Sequence, residues 1–397
     1  MIFDHTSLNM TFPILALIFF DPLSHMFSDN ITNAERSMLY GLCISIPHIL
    51  NLIFTPILSF ISDEYGRKKV LILGTAGAAL FSLVAGLGVL YGLFILLFLG
   101  LLIRGAFSRT NPIAQAVIGD LSEKHEKVQN MGYLQGAISI GAFIGPMLGG
   151  YFAHRFLFNT LNFSLPFFIA GIFAAISVFL TILMFKETHT KHTEKNSLKI
   201  FSIKSFRKIF AYNGIWQISV ILLLTQIGWS IYYQYIPPLL KLESNFSANH
   251  LGIFVGLIAV WLALATIFGI KFLQRFFTLE QMLTRSIYLV LIGLVLTVIG
   301  FLTHITSLLW IAAIPTAVGD VISYSCLIAF YSNAVERSEQ GKVMGICFII
   351  VALIWALTGL FGGLLMSAYA LLPMIVAPLA VFILILLMRT PGFTRYF

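Results

Sequence analysis

Three ionisable residues, Asp21, Arg104 and Asp320, each interrupt a long apolar run. A charge in hydrocarbon costs several kcal/mol, so each implies a cavity, a partner or a proton. Asp21 lies in Phe19-Phe20-Asp21-Pro22, with His25 one helical turn further on. It reads as a carboxylate that loads and releases a proton, the other reading being a helix-break residue ahead of Pro22. Arg104, Ser108, Asn111 and Gln115 recur at spacings of four, three and four, which draws one polar stripe down an apolar helix. Such a stripe must line a cavity or a helix contact; Arg109 lies off it. Asp320 shares a helical face with Thr316, Ser323 and Tyr324, and Gln217, Thr225, Gly228, Tyr232 and Tyr235 follow another face ahead of Pro237-Pro238. Those aromatic residues suit either stacking on a flat ligand or anchoring at a membrane interface. Together, His25, Ser108, Asn111, Gln115, Gln217, Tyr232, Asp320 and Tyr324 are the expected cavity lining, with Asp21 as the proton carrier.

The elements that position these residues must be membrane helices. Of 397 residues 59% are apolar and 10% charged, with a mean hydropathy of +0.95. No aqueous domain hides that much apolar surface, so lipid is the solvent. Twelve stretches are long enough to span as helices: 10–28, 36–61, 70–91, 93–119, 131–153, 164–186, 213–239, 248–272, 284–303, 307–333, 342–365 and 370–389. With both termini in the cytoplasm, nineteen of the 24 Lys and Arg fall on cytoplasmic loops and tail, while Arg36, Arg155 and Lys241 face outward. That asymmetry orients a membrane protein, so the net charge of +8 signals topology and no nucleic-acid partner. No Lys or Arg precedes Arg36, unlike the basic front end of a cleaved signal peptide. Cys43, Cys326 and Cys347 lie far apart in apolar segments and read as small core residues, not metal ligands. The chain has no GxxxxGK[ST] loop, HExxH motif or dinucleotide fingerprint, which points away from an enzyme, a cofactor or nucleotide-driven work.

A polar stretch divides the chain into expected bundles at 1–187 and 213–397, joined by a cytoplasmic linker at 188–212. Met131-Gly132 and Gly149-Gly150 recur as Met344-Gly345 and Gly362-Gly363, both at an offset of 213 residues (345 − 132 and 362 − 149). The pattern predicts an all-α membrane protein, two pseudo-symmetric six-helix bundles with parallel halves and a substrate site near the bilayer midplane.

Between the second and third segments the chain reads Ser59-Phe60-Ile61-Ser62-Asp63-Glu64-Tyr65-Gly66-Arg67-Lys68-Lys69-Val70-Leu71. This resembles the signature loop between helices 2 and 3 of the major facilitator superfamily, secondary transporters of twelve helices in two halves. Tyr40-Gly41, Asn51, Pro56 and Ile57-Leu58 fall where the drug:proton antiporter, tetracycline-exporter-like branch places its helix 2 residues. Ser59 replaces the usual leading glycine and Glu64 a customary basic residue. The resemblance implies a conformational switch in Asp63, Gly66, Arg67, Lys68 and Asp120, with Arg67 paired to Asp120 and Asp63 near the start of segment 11 at Gly341. Arg104 matches the helix 4 arginine that assists proton transfer, and Gly136, Gly141, Gly145-Pro146 and Gly149-Gly150 resemble the helix 5 antiporter motif. The expected protein is a monomeric, proton-coupled exporter of a drug or metabolite in a bacterial inner (plasma) membrane. It exchanges a small-molecule substrate for protons by alternating access and has no cofactor. A proton-symport importer of a small organic solute or siderophore is the alternative, and a non-transporting sensor the third class.

Overall fold

A backbone in lipid must satisfy its hydrogen bonds internally, and uncharged runs of this length do so as helices. The computed structural model describes residues 1–28, 30–107, 110–123, 126–153, 163–188, 214–335, 340–390 and 393. Among them there is helix and no strand. In chain order the helices are α1 (Ile2–Phe20), α2 (Asn33–Tyr65), α3 (Arg67–Leu90), α4 (Phe94–Leu121), α5 (Lys127–Phe152) and α6 (Leu165–Met184). Then follow α7 (Ile215–Ser244), α8 (Ala248–Leu273), α9 (Leu279–Leu302), α10 (Thr306–Asn333), α11 (Gln340–Ala368) and α12 (Leu372–Met388). Eleven of these are long and apolar enough to cross a bilayer, and α12 is a shorter apolar helix of 17 residues. The chain is an integral, multi-pass, all-α membrane protein.

Local chemistry sets the ends and bends. Thr32 and Glu35 form a reciprocal capping box at the start of α2, and Thr278 and Gln281 do the same for α9. α1 consists of two helical pieces, Ile2–Met10 and Phe12–Phe20, flanking Thr11. Pro13 lacks the N–H that would continue the ladder across that junction. α8 carries a π-bulge at Ala265–Gly269.

The position of α1 corrects the expected span at 10–28. The helix begins eight residues earlier and ends at Phe20. Asp4, Thr6, Ser7 and Thr11 lower the hydropathy of its first turns, but all four are buried inside the protein, so lipid never meets them. Asp21 therefore lies beyond the helix, in extended backbone, and His25 is exposed in the irregular stretch that follows; the two do not share a helical face.

The chain divides into two compact units, Met1–Lys195 with Leu240–Ala259, and Asn196–Leu239 with Val260–Phe397. The end of α7 and the start of α8 thus belong to the first unit. There the first piece of α1 packs on α5 and α6, and α3 packs on α4 and α6. A core of Leu58, Val70, Leu71, Ile113 and Val117 closes one end of α2, α3 and α4. In the second unit α9 packs along α10 and α12, and α11 along α10 and α12.

Candidate functional site

In the first unit the polar residues of α1 and α4 meet. Asp4 is 1% exposed, and Thr110 Oγ1 donates a hydrogen bond to its carboxylate. Its other oxygen is sealed from solvent without a partner. Four residues along the same face of α1, the Leu8 carbonyl accepts a 3.4 Å contact from Arg104 Nη2. The Arg104 guanidinium also lies 5.4 Å above the Phe81 ring, a cation–π placement. A buried acid and a half-buried cation thus share one helix contact, separated by one turn of α1.

The glycine run of α5 makes that contact possible. A Cβ on Gly141 would lie 2.6 Å from His5 Cβ and 2.8 Å from Thr6 N, and one on Gly145 would lie 2.7 Å from Thr6 O. Gly149 faces Met10 in the same way, while Gly132 and Gly136 meet nothing within 4 Å. Small residues at intervals of four therefore let α5 lie directly on the backbone of the α1 piece that carries Asp4. Gly150 faces α8 instead, where a Cβ would come within 3.0 Å of Gly252 Cα. Pro146, inside the helix, belongs to that second face: a Cβ on Gly252 would press on its carbonyl oxygen.

Asp21 is neutralised by a cation. Its carboxylate pairs with Lys241 Nζ at 2.6 Å and accepts the Leu23 N–H at 2.8 Å; the two paired side chains are only 10% and 14% exposed. Of the expected polar stripe, Arg104 and Asn111 are half-buried and Gln115 is exposed; Ser108 and Arg109 lie outside the described residues. The buried Asn111 Oδ1 has no partner.

At the α2–α3 junction Gly66 adopts φ +107°, a conformation that an L side chain rarely takes, and the chain turns within one residue. Arg67 then spreads its guanidinium over three oxygens. It pairs with Asp63, reaches Asp120 Oδ2 at 3.1 Å and donates to Ser62 Oγ at 3.1 Å. Glu187, just beyond α6, accepts the backbone N–H of Arg67 at 2.9 Å and of Lys68 at 3.1 Å. A carboxylate there satisfies the open N–H groups of α3 and faces the positive end of its dipole. Lys68 Nζ donates to the Ile182 carbonyl at 2.7 Å, which ties the same turn to α6 again.

In the second unit α7, α10 and α11 converge on Asp320, which is 5% exposed. Gln226 Nε2 approaches Asp320 Oδ1 at 3.3 Å, and Trp355 Nε1 approaches Gln226 Oε1 at the same distance. Tyr233 lies between Trp229 and Trp355, with ring centroids 5.6 and 5.8 Å away. Trp229 and Tyr232 are buried in protein, and the Tyr232 hydroxyl has no partner; Gln217 and Tyr324 are half-buried. Gly319, beside Asp320, presses on the backbone of α9, where a Cβ would lie 2.8 Å from Ser286 O and Val290 N. Asp320 thus sits beside a close backbone contact between α10 and α9.

Several of these residues escaped the sequence reading: Asp4, Thr110, Glu187, Gln226 and Trp355, and Lys241 as a partner for Asp21. One signal was present, because Gln226, Trp229, Ser230 and Tyr233 recur at helical spacing as a polar–aromatic stripe.

Buried acids and a half-buried arginine on membrane-crossing helices define a polytopic helical protein that carries charge within its bundles. The family model described as the Major Facilitator Superfamily matches residues 1–359, and the chain belongs to that superfamily. It is 25% identical over 377 residues to the class H tetracycline resistance protein of Pasteurella multocida, covering 92% of this chain and 86% of that protein. It is 31% identical to the multi-drug resistance efflux pump PmrA of Streptococcus pneumoniae over 168 residues, 42% of this chain and 40% of the pump. In fold it matches the crystal structure of the human organic anion transporter MFSD10 with a TM-score of 0.69 at 17% identity, covering 98% and 96% of the two chains.

Proposed function

We propose that this protein exports a drug or drug-like metabolite across a bacterial inner membrane, exchanging it for protons by alternating access as a monomer with both termini in the cytoplasm. The direction rests on the relatives, which are resistance proteins and an efflux pump by name. The import reading finds no such support.

The observation that carries the coupling is the environment of Asp4. Sequence reasoning gave the proton to Asp21, but Asp21 already has Lys241 as a counter-charge at 2.6 Å. Asp4 is more deeply buried, and among the described residues it has one hydroxyl partner and no cation. An ionised carboxylate so placed draws a nearby positive charge towards it. Arg104, one turn away, is that charge. With Asp4 ionised the guanidinium is attracted to α1, and with Asp4 protonated the attraction ends. The two states favour different packings of α1 against α4 and α5, the differential contact that a coupled transition requires. Asp63, Gly66, Arg67, Lys68 and Asp120 form the cytoplasmic switch, whose latch Arg67 holds through both acids. Asp320 and the polar face of α7 contact the cargo.

The test is transport in vesicles containing a pH-sensitive dye, under an imposed proton gradient, with a panel of drugs and organic acids. Wild-type protein should move protons opposite to an added solute. Asp4→Asn should abolish that proton movement, whereas Asp21→Asn should keep it coupled. Protons moving with the solute would overturn export, and coupled proton movement by Asp4→Asn would overturn the role of Asp4.

A further inference from the structure

In the second unit a groove of about 300 Å³ runs between α9 and α12. Leu291, Val295 and Val298 line one side of it, and Ile375, Pro378 and Phe382 the other. Val295 and Phe382 are exposed, so the groove opens on the outer surface of its helices, and each of these side chains is a hydrocarbon. Water finds no hydrogen bond there, and an empty groove forfeits the dispersion contacts of its lining. In a bilayer the natural filling is an acyl chain.

Both helices carry a cation at the same end of this groove. On α9, Arg285, Tyr288, Leu291, Val295 and Val298 recur at spacings of three, three, four and three, which is one helical face. On α12, Ile375, Pro378, Phe382 and Arg389 follow at three, four and seven. Arg389 Nη2 donates to the Tyr288 hydroxyl at 3.1 Å and so joins the two faces. The Arg285 guanidinium lies 3.7 Å above the centre of the Phe277 ring. Stacked there, it rests on an apolar platform and keeps its N–H edge open. Among the described residues neither guanidinium meets a carboxylate. Lys271 and Arg275 precede them, and Glu280 is the one acid from Lys271 to Tyr288, so with Arg389 this end carries +3 (4 − 1). At 1.5 Å per residue the lining starts about 5 Å from Tyr288 along α9 and about 10 Å from Arg389 along α12, and it ends about 21 Å from Arg389. One leaflet holds about 15 Å of hydrocarbon, so a head group at the arginines lays its chain along the groove.

We propose that Arg285, Tyr288 and Arg389 bind the phosphate of an anionic phospholipid whose acyl chain lies in the α9–α12 groove. Two guanidinium forks offer paired N–H donors to phosphate oxygens, and the surplus of positive charge repels the ammonium of a zwitterionic head group. In the orientation proposed above, the basic end is cytoplasmic and the lipid belongs to the inner leaflet, where acidic lipids meet basic helix ends. A second copy of the chain is the rival occupant. In the same membrane its own Arg285 and Arg389 would lie at the same depth, bringing like charges together.

The test is native mass spectrometry of the purified full-length protein with palmitoyl-oleoyl phosphatidylglycerol. Palmitoyl-oleoyl phosphatidylethanolamine, with the same chains and no net charge, is the comparison. One phosphatidylglycerol should be retained, about tenfold or more above the zwitterionic lipid. Each guanidinium near a membrane surface contributes roughly fivefold, so Arg285→Gln together with Arg389→Gln should cut phosphatidylglycerol binding about 25-fold and abolish the preference. Val295→Trp, which fills the groove, should weaken both lipids alike. Equal retention of the two lipids, or a preference that survives the double substitution, would overturn the head-group site. Undiminished binding by Val295→Trp would remove the chain from the groove, and a dimer broken by that substitution would give the groove to a second copy. Neither cargo nor protons enter this measurement, so its failure leaves the proposed export untouched.

Discussion

The side chains with a clear chemical task here are those whose charge is placed against a specific partner. Arg67 is the plainest case, because one planar guanidinium serves Asp63, Asp120 and Ser62 at once. A lysine keeps the charge but offers a point donor in place of a fork. Arg67→Lys should therefore fold and reach the membrane while losing transport by about tenfold, the scale of one or two charge-assisted hydrogen bonds. Matched protein amounts and initial rates in the vesicle assay would check it; an unchanged rate would show that the fork is not needed. The sequence made this loop legible because its partners lie close along the chain or within a recognisable motif. Asp4 was not legible, because its significance depends on Thr110, 106 residues away, which no spacing rule connects to it.

At the scale of elements, the glycines of α5 divide by what they face. Gly145 lies against the backbone of α1, whereas Gly136, in the same run, faces open space. Gly145→Leu should force α1 away from α5 and lower stability by about 1–3 kcal/mol or more, as overpacking does. Gly136→Ala should be neutral or slightly stabilising, since it relieves a helix of a flexible residue without meeting a neighbour. Thermal unfolding of the two purified variants in detergent measures the contrast, and equal shifts would contradict it. The run was legible as a close-packing motif, but not the division of labour inside it. Periodicity shows that glycines share a face; only the neighbouring helices show which face is occupied. The same limit explains the shifted α1, whose polar first turns lower a hydropathy average although the protein itself covers them.

At the scale of the molecule, the pair between Asp21 and Lys241 joins residues 220 positions apart (241 − 21) within one compact unit. Removing one partner of a buried ion pair leaves an uncompensated charge, at a cost of about 3–5 kcal/mol. Asp21→Lys alone should accordingly lower the thermal midpoint sharply, and adding Lys241→Asp should recover most of the loss. A swap that recovers nothing would mean that the pair's surroundings, not its charges, hold the ends of α1 and α7 together.

Composition, run length and charge asymmetry by themselves determined that the chain lives in lipid, that its elements are helices, and roughly where they start and stop. These are properties of each residue's own transfer from water and need no knowledge of its neighbours. The loop after α2 likewise carried the superfamily, because a short motif is read without folding the chain. What only the tertiary structure decided is which polar residue answers which. Asp21 acquired Lys241, Asp4 acquired Thr110 beside Arg104, and Asp320 acquired Gln226, which in turn meets Trp355. Electrostatic energy in a low-dielectric interior depends on distances of a few ångströms, and such distances between remote residues exist only once the helices are packed.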